Sequence, residues 1–197
     1  MKNNKKAADT KKIVLMALFT AIVTALQFLG AFIRFGPFSI SLVLMPIAIG
    51  AALMGALAGG WLGLVFGAVV LLSGDAAPFM LINPAATVFL VLLKGMLAGF
   101  ASGAAYKLFL NKNKTAAAVA AAAACPVVNT GVFVAGVFSF FLPDVAQWGF
   151  AEGYANAAAY IFTVMIGFNF LIELVLNLVL SPVIVRLIQY GRNRRAA

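Results

Sequence analysis

Two charged side chains stand inside long apolar stretches of the sequence, where a charge is costly. Lys94 lies between VFLVLL and GMLAGF, and Glu173 lies within NFLIELVLNL. A charge at the centre of a bilayer costs about 2.5–3.5 kcal/mol on insertion scales, so each residue needs a partner or a polar cavity. Either the two pair with each other as a buried ion bridge, or one or both contact a bound solute.

Three asparagines add to this polar chemistry. Asn169 and Asn177 stand four residues before and after Glu173. Residues four apart share one face of a helix, so this stripe is expected to face protein rather than lipid. In an earlier apolar stretch Pro126 frees a backbone carbonyl, and Asn129 follows one turn later. That pair is interpreted equally well as a cavity wall or as a satisfied structural kink.

The sequence lacks histidine and the common catalytic motifs. The sequence has no His and 1 Cys, which excludes a disulfide framework, a Cys/His zinc site and acid–base chemistry by histidine. It also contains none of the motifs G-x-x-x-x-G-K-[ST], H-E-x-x-H or G-x-S-x-G. We therefore predict a protein that is not an enzyme and that holds neither a metal ion nor a cofactor.

The composition is that of a membrane protein. Hydrophobic residues make up 64% of the 197 residues and charged residues 10%, against about 45–50% and 25% in soluble domains. Apolar runs between chain breakers predict an all-α protein with six transmembrane helices: 13–33, 38–56, 58–73, 84–108, 115–141 and 157–188. The predicted organisation is a basic tail (1–12), one transmembrane domain (13–190) and a second basic tail (191–197).

The basic residues predict the orientation. Of 14 Lys+Arg residues, five lie before residue 13, three between residues 107 and 114, and four from residue 186 onward. An even number of crossings puts these segments on one side, which the positive-inside rule assigns to the cytoplasm. We expect a multi-pass protein of a prokaryotic plasma membrane, surrounded by lipid, with both termini cytoplasmic. The net charge of +9 then reflects topology and not nucleic-acid binding.

The acids Asp75, Asp144 and Glu152 fall in the opposite, outer loops, which are predicted at 34–39, 73–84 and 142–157. We expect these loops to cover a ligand site. Arg34, beside a Gly-Pro turn, could bind a carboxylate in a bidentate manner.

Aromatic residues of the third outer loop could cover a flat ring, although anchoring at the membrane interface is the alternative. A ligand with a carboxylate or a planar ring is therefore expected. The candidate binding residues are Arg34, Asn83, Lys94, Asn129, Trp148, Tyr154, Asn169 and Glu173.

Small residues recur every four positions in two places. One series is Gly55, Gly59, Gly63 and Gly67, and the other is Ala17, Ala21 and Ala25. Small residues at this spacing let helices approach closely. For the glycines we predict packing within the protein. For the alanines both internal packing and docking to another membrane protein stay open.

Several of these segments together resemble a known transporter family. They are KKI at 11–13, ALFTA at 17–21, FSISL at 38–42, PIAIGA at 46–51, GALAG at 55–59 and NFLIE at 169–173. Over essentially its whole length the chain resembles the substrate-binding S component of an energy-coupling factor (ECF) micronutrient transporter. The resemblance implies a solute pocket facing outward. It also implies a partner T component and two ATPases, which drive a toppling of the S component that releases the solute inside.

On this chain the resemblance implies that Ala17 and Ala21, extended by Ala25, dock the T component. The pocket would lie in the outer halves of the last three spans. Pocket residues in the family vary with the ligand, so the resemblance transfers no binding residue. We predict a high-affinity binding subunit for uptake of a vitamin or similar micronutrient. The alternative is a standalone secondary transporter or channel, in which Lys94 and Glu173 would form a proton relay.

Overall fold

The structure is a computed structural model. It describes the backbone of residues 2–30, 34–35, 38–39 and 42–194, and the side chains of residues 10–30, 42–167, 169–183 and 185–186. In chain order the elements are α1 (Lys2–Gly30), β1 (Arg34–Phe35), β2 (Phe38–Ser39), α2 (Leu44–Met54), α3 (Ala56–Ser73), α4 (Ala77–Ile82), α5 (Pro84–Leu110), α6 (Lys114–Phe140), α7 (Leu142–Ala151), α8 (Ala157–Tyr160), a π-helix (Ile161–Gly167) and α9 (Phe168–Arg194).

Long apolar helices dominate the fold, as predicted. Among the described residues 5 segments are long and apolar enough to cross a membrane: Thr10–Gly30, Ala56–Ser73, Pro84–Leu110, Lys114–Phe140 and Ala157–Val183. The sixth apolar helix, α2, has 11 residues. At 1.5 Å per residue it covers about 16 Å, roughly half of a 30 Å hydrocarbon core. The all-helical membrane class is confirmed, but the second predicted span is not a full-length helix.

Proline explains why α2 is short. The predicted span began at residue 38, whereas Phe38 pairs with Phe35 in a two-stranded antiparallel hairpin and the helix begins at Leu44. A helix starting at 38 would place Pro46 in its interior, where proline removes a backbone hydrogen bond and clashes with the preceding turn. Starting at Leu44 places Pro46 in the first turn, where proline is tolerated.

Two segments that are predicted as loops contain helices with a proline in the first turn. Pro78 stands at the start of α4, and Pro143 at the start of α7. Proline often breaks a helix, but a proline in the first turn of a helix loses no intrahelical hydrogen bond. The predicted outer loops 73–84 and 142–157 are therefore largely helical.

Two contacts fix how the long helices run. Gln27, near the end of α1, bonds Asp75, which directly follows α3, so α1 and α3 are parallel. Arg186, late in α9, donates to Thr115 at the start of α6, so these helices are antiparallel. The start of α1 and the far end of α9 therefore share one end of the bundle with the turn 111–113. We call this the basic end. The opposite end, with residues 74–83 and 141–156, is the acidic end.

Helices α3 and α5 approach each other through glycine. A Cβ atom added at Gly63 would collide with the carbonyl oxygen of Gly95, and one added at Gly59 would collide with that of Gly99. At Gly67 the added atom would lie 2.7 Å from the Val91 carbonyl oxygen. The predicted internal packing is confirmed for Gly59, Gly63 and Gly67, because no larger residue leaves room for these two backbones. Gly55 differs, since it lies between α2 and α3 with a φ of +100° and a Cβ there would meet nothing within 4 Å.

Helix α6 completes the other side of this core. The Ser102 hydroxyl of α5 donates to the Ala121 carbonyl of α6 over 2.8 Å. The alanine-rich start of α6 is buried, and Cys125 has 0% of its surface exposed. The last span then enters the bundle through α8 and the seven-residue π-helix before α9, which continues past Pro182.

Candidate functional site

A cavity of about 110 Å³ lies among α1, α3, α5, α6 and α9. Apolar and aromatic side chains form much of its wall. Seven polar residues of the lining come from separate parts of the chain: Gln27, Asp75, Lys94, Asn129, Thr130, Asn169 and Glu173. Four of the predicted binding residues, Lys94, Asn129, Asn169 and Glu173, are thereby brought to one place. Three different helices supply them, as the predicted spans required, but the sequence did not show that these four side chains meet.

Lys94 projects from α5 into this cavity and is partly buried. Its ammonium nitrogen lies 5.1 Å from the ring centroid of Phe133 and 6.0 Å from that of Phe66. Such distances allow cation–π attraction. Glu173 and Asp75, which carry the opposite charge, line the same cavity. This placement of Lys94 and Glu173 is compatible with a buried pair and with contact to a solute.

The two asparagines of the cavity have unused hydrogen-bonding capacity. Asn129 is 6% and Asn169 8% exposed, and within the described part of the chain neither Oδ1 atom has a hydrogen-bond partner. An unsatisfied buried polar group costs about 1–3 kcal/mol. A side-chain amide carries both an acceptor and two donors, so it can bond almost any polar group placed beside it. These residues suit a polar ligand.

Asp75 is held at the acidic end of the cavity by neutral donors. Gln27, 2% exposed, donates from Nε2 to Asp75 Oδ2 over 2.7 Å. The Ser73 hydroxyl donates to the same oxygen over 3.4 Å. The sequence reasoning missed both Gln27 and Asp75 as site residues. A glutamine within an otherwise apolar span was the available signal, while Asp75 was noted only as an outer acid.

An aromatic cluster covers the cavity toward a second, more open depression at the acidic end. Phe79 of α4 lines the cavity, and its ring lies 4.9 Å from that of Phe141 and 5.6 Å from that of Trp148. Trp148 lines the second depression, which Asp75 also lines. We call this depression the outer groove. Asp75 thus lines both spaces. Phe79, which lines the cavity, contacts Trp148, which lines the outer groove.

The remaining predicted binding residues lie elsewhere. Asn83 caps α5, where its Oδ1 accepts the Ala86 N–H over 3.1 Å. Tyr154 packs edge to face on Tyr160 with centroids 5.4 Å apart. Trp148 faces the outer groove, as described above. The side chain of Arg34 lies outside the described residues.

The alanine series of α1 lies on an exposed face of the part of the chain that the structure describes. Ala17, Ala21 and Ala25 are all exposed, whereas Phe19 and Val23 on the opposite face are buried in the core. Close to the alanines, Thr20 accepts a hydrogen bond of 3.3 Å from Trp61 of α3. Of the two interpretations left open for this series, this exposure favours docking to another membrane protein.

A helical bundle that crosses the membrane and encloses a polar cavity near one end is typical of membrane proteins that bind a small solute. A family model described as the substrate-specific component of ECF transporters matches residues 11–185. The chain belongs to that family. It is thus a substrate-binding membrane component of a transporter, as the resemblance predicted, and the family is one of transport proteins rather than enzymes. Neither the curated proteins nor the solved structures contain a significant match.

Proposed function

We propose that the cavity binds a vitamin or similar small micronutrient and that the protein passes it inward with a separate T component and two ATP-binding subunits. The observation that carries the proposal is the pair of buried amides, Asn129 and Asn169, in a cavity of a chain of this family. Their Oδ1 atoms have no hydrogen-bond partner within the described residues. In the proposed orientation the acidic end faces outward and the basic end faces the cytoplasm, in keeping with the positive-inside rule.

In this proposal different lining residues contact different parts of the solute. Lys94, Glu173 and the two asparagines contact the polar parts of the solute, while Phe66 and Phe133 pack against its apolar parts. Arg34, Asn83, Trp148 and Tyr154 belong to the segments that cover the acidic end. Arg34 and the two aromatic residues are proposed to reach the solute when those segments close over it.

The size of the cavity limits the solute. Pockets for drug-sized ligands measure roughly 300–1,000 Å³, and this cavity is about 110 Å³. The cavity therefore fits a very small solute or one end of a larger one. For the larger solute, α4 and α7 would have to move apart, with the remainder occupying the outer groove beside Asp75 and Trp148.

The exposed alanine face of α1 is the proposed docking surface for the T component. Ala17, Ala21 and Ala25 leave a smooth strip on a helix with apolar neighbours such as Val14 and Leu18, which are also exposed. Small side chains allow a partner helix to approach closely enough for dispersion and Cα–H···O contacts. The strip extends along α1, so a transmembrane helix of the partner could follow it.

Solute binding is tested by mass spectrometry of small molecules retained by the purified protein. Asn169→Leu should release the retained solute, because it removes a polar group from the cavity wall. Asn177→Leu is the matched control, since Asn177 is buried on the same helix and is not among the residues that line the cavity. Its Oδ1 likewise has no hydrogen-bond partner in the described part of the chain. Equal retention by the wild type and Asn169→Leu would contradict the site.

Energisation is tested separately. We expect native membranes to yield the protein together with a T component and ATPases, and vesicles containing the whole complex to accumulate the solute only with ATP. The second candidate, a standalone secondary transporter, is favoured by one observation: Lys94, Glu173 and Asp75 line one cavity, as a proton relay would require. Uptake by the isolated chain in ATP-free vesicles under a proton gradient would establish that candidate instead.

A further inference from the structure

We propose that the basic end of the bundle binds the headgroup of an anionic phospholipid, at a surface formed by Lys112, Lys114 and Arg186. We call this surface the headgroup site. None of its three residues is among those that line the cavity. The inference therefore goes beyond the proposed function and does not depend on which solute the cavity binds.

The first argument is the charge of the basic end. Five of its cations precede residue 13, three lie between residues 107 and 114, and four lie from residue 186 onward. Asp9 is the one acidic side chain in these three segments of the sequence. Positive charge is therefore in large excess at this end, whatever contacts the individual side chains make. Such a surface attracts the negatively charged lipids of a membrane.

The second argument is the depth of the three cations relative to the apolar spans. One span ends at Leu110 and the next begins at Lys114, so Lys112 lies between two span ends. Arg186 lies three residues past Val183, where the last span ends. At 1.5 Å per residue this is about 5 Å beyond the apolar segment, which is the depth of the polar headgroup region. The cations thus lie at the level of the lipid phosphates.

The third argument is that α6 and α9 bring these cations together. Arg186 of α9 donates a hydrogen bond to Thr115, the residue that directly follows Lys114. A guanidinium group has five N–H donors, so after this bond it can still bind phosphate oxygens in a bidentate manner. Lys112 and Lys114 are both exposed and add two ammonium groups at the same place.

The fourth argument distinguishes a lipid from a free phosphate. Leu108, Phe109 and Leu110 directly precede the turn 111–113, and all three side chains are exposed. They belong to the end of a membrane span, where exposed apolar side chains face acyl chains. A lipid can therefore contact the cations through its headgroup and these side chains through its tails, whereas a free phosphate makes the first contact only.

The test measures lipid binding to the purified full chain by native mass spectrometry in a neutral detergent. The probes are phosphatidylglycerol and phosphatidylcholine with identical acyl chains, which differ in headgroup and in net charge. We expect phosphatidylglycerol to bind at least about tenfold more tightly, because each cation near the headgroup strengthens the attraction. Glycerol phosphate at the same concentration should not displace it, because this probe has no acyl chains.

Replacing the three cations of the headgroup site by glutamine in one chain should abolish the preference for phosphatidylglycerol. The substitutions are Lys112→Gln, Lys114→Gln and Arg186→Gln. The matched control removes the same amount of charge from the same end, at positions that precede the first apolar span by four or more residues. Its substitutions are Lys2→Gln, Lys5→Gln and Lys6→Gln. The control should keep the preference.

Equal affinity of the wild type for the two lipids would overturn the inference, and this comparison decides even if a triple variant fails to fold. Equal loss of the preference in both triple variants would also overturn it, because net charge and not the headgroup site would then attract the lipid. Displacement by glycerol phosphate would show a site for free phosphate instead. The retention of solute by the cavity is measured separately, so the proposed function would stand in each case.

Discussion

Two stripes of small residues with the same four-residue spacing have opposite surroundings in this protein. The glycines of α3 are pressed against the backbone of α5, and Gly63 and Gly95 exclude any side chain from each other's position. The alanines of α1, Ala17 and Ala21 among them, are exposed. The spacing identifies a surface where helices can approach closely. It does not tell whether the partner helix belongs to the same chain.

A third stripe on α9 has the same spacing and a polar character. Asn169, Glu173, Asn177 and Ser181 are all buried, and Ser181 Oγ has no hydrogen-bond partner among the described residues. The glycine stripe packs against another helix of the same chain. We propose that the alanine stripe binds another protein and that Asn169 and Glu173 of the polar stripe contact the solute. Each prediction below tests one of these assignments.

The largest effect is expected at the glycine stripe. Gly63→Leu should prevent folding, because the obstacle is the Gly95 carbonyl oxygen rather than a side chain that can rotate away. The loss should exceed the ~1–3 kcal/mol typical of an overpacked core. Size-exclusion chromatography in detergent should show no monodisperse protein. Gly131→Leu is the control, since nothing lies within 4 Å of a Cβ at that position of α6. If both variants gave the same elution profile, the close contact of α3 with α5 would not be what requires glycine at residue 63.

A somewhat smaller effect is expected at the polar stripe. If Lys94 and Glu173 balance each other, Lys94→Met or Glu173→Gln alone should destabilise by ~3–5 kcal/mol, because one buried charge loses its counter-charge. The double variant should be damaged less than either single variant. Thermal unfolding of the three proteins supplies the double-mutant cycle. A double variant as unstable as the worse single variant would show that the charges are independent.

A bulky substitution in the alanine stripe should weaken assembly with the T component and leave the stability of the isolated protein unchanged. Ala21→Trp should weaken binding of the T component at least about tenfold, because the ring keeps the partner backbone at a distance. Retention of solute by the isolated protein should be unchanged, since Ala21 is exposed and does not line the cavity.

Ala135→Trp, at an exposed position of α6, controls for added bulk. Co-purification of the T component with each variant gives the measurement. Loss of solute together with loss of assembly would place Ala21 in the internal packing of the protein.

The smallest effect is expected at Gly60, a glycine of α3 outside the stripe. Gly60 stands beside the stripe, and a Cβ there would lie 3.7 Å from the Met96 carbonyl oxygen, an ordinary contact. Gly60→Ala should change the free energy of unfolding by less than about 1 kcal/mol, and alanine's higher helix propensity favours the variant. Chemical denaturation compares it with Gly63→Ala, which should be clearly destabilised. A large loss in Gly60→Ala would mean that the whole helix, and not one stripe, needs glycine.

The sequence predicted most of this architecture because membrane spans depend on local composition. Long apolar runs placed α3, α5 and α6 to within about two residues, since loss of hydrophobicity and helix breakers coincide at their ends. The sequence-based prediction was wrong at prolines, because a proline can either begin or interrupt a helix. Pro46, Pro78 and Pro143 begin helices here, and a sequence pattern does not separate a proline in the first turn from one that ends a helix.

The candidate site was predicted in part for a related reason. Lys94, Asn129, Asn169 and Glu173 were identified because polar groups within apolar runs are costly wherever they point. Their meeting in one cavity depends on how α5, α6 and α9 rotate about their axes, which hydropathy does not encode. Asp75 was missed because an acid at the end of a span carries no such cost. It became a site residue through the contact of α1 with the end of α3.

The buried position of Cys125 has a practical consequence for spectroscopy. It is the 1 cysteine of the sequence and is 0% exposed, so thiol reagents should not reach it in the folded protein. Cysteines introduced at Phe150 and Leu57, which are both exposed, would then carry fluorescent or spin labels at the acidic and basic ends. Because Cys125 would remain unlabelled, the signal would come from the two introduced cysteines. Distance changes between the two ends of the protein could then be followed during solute transport.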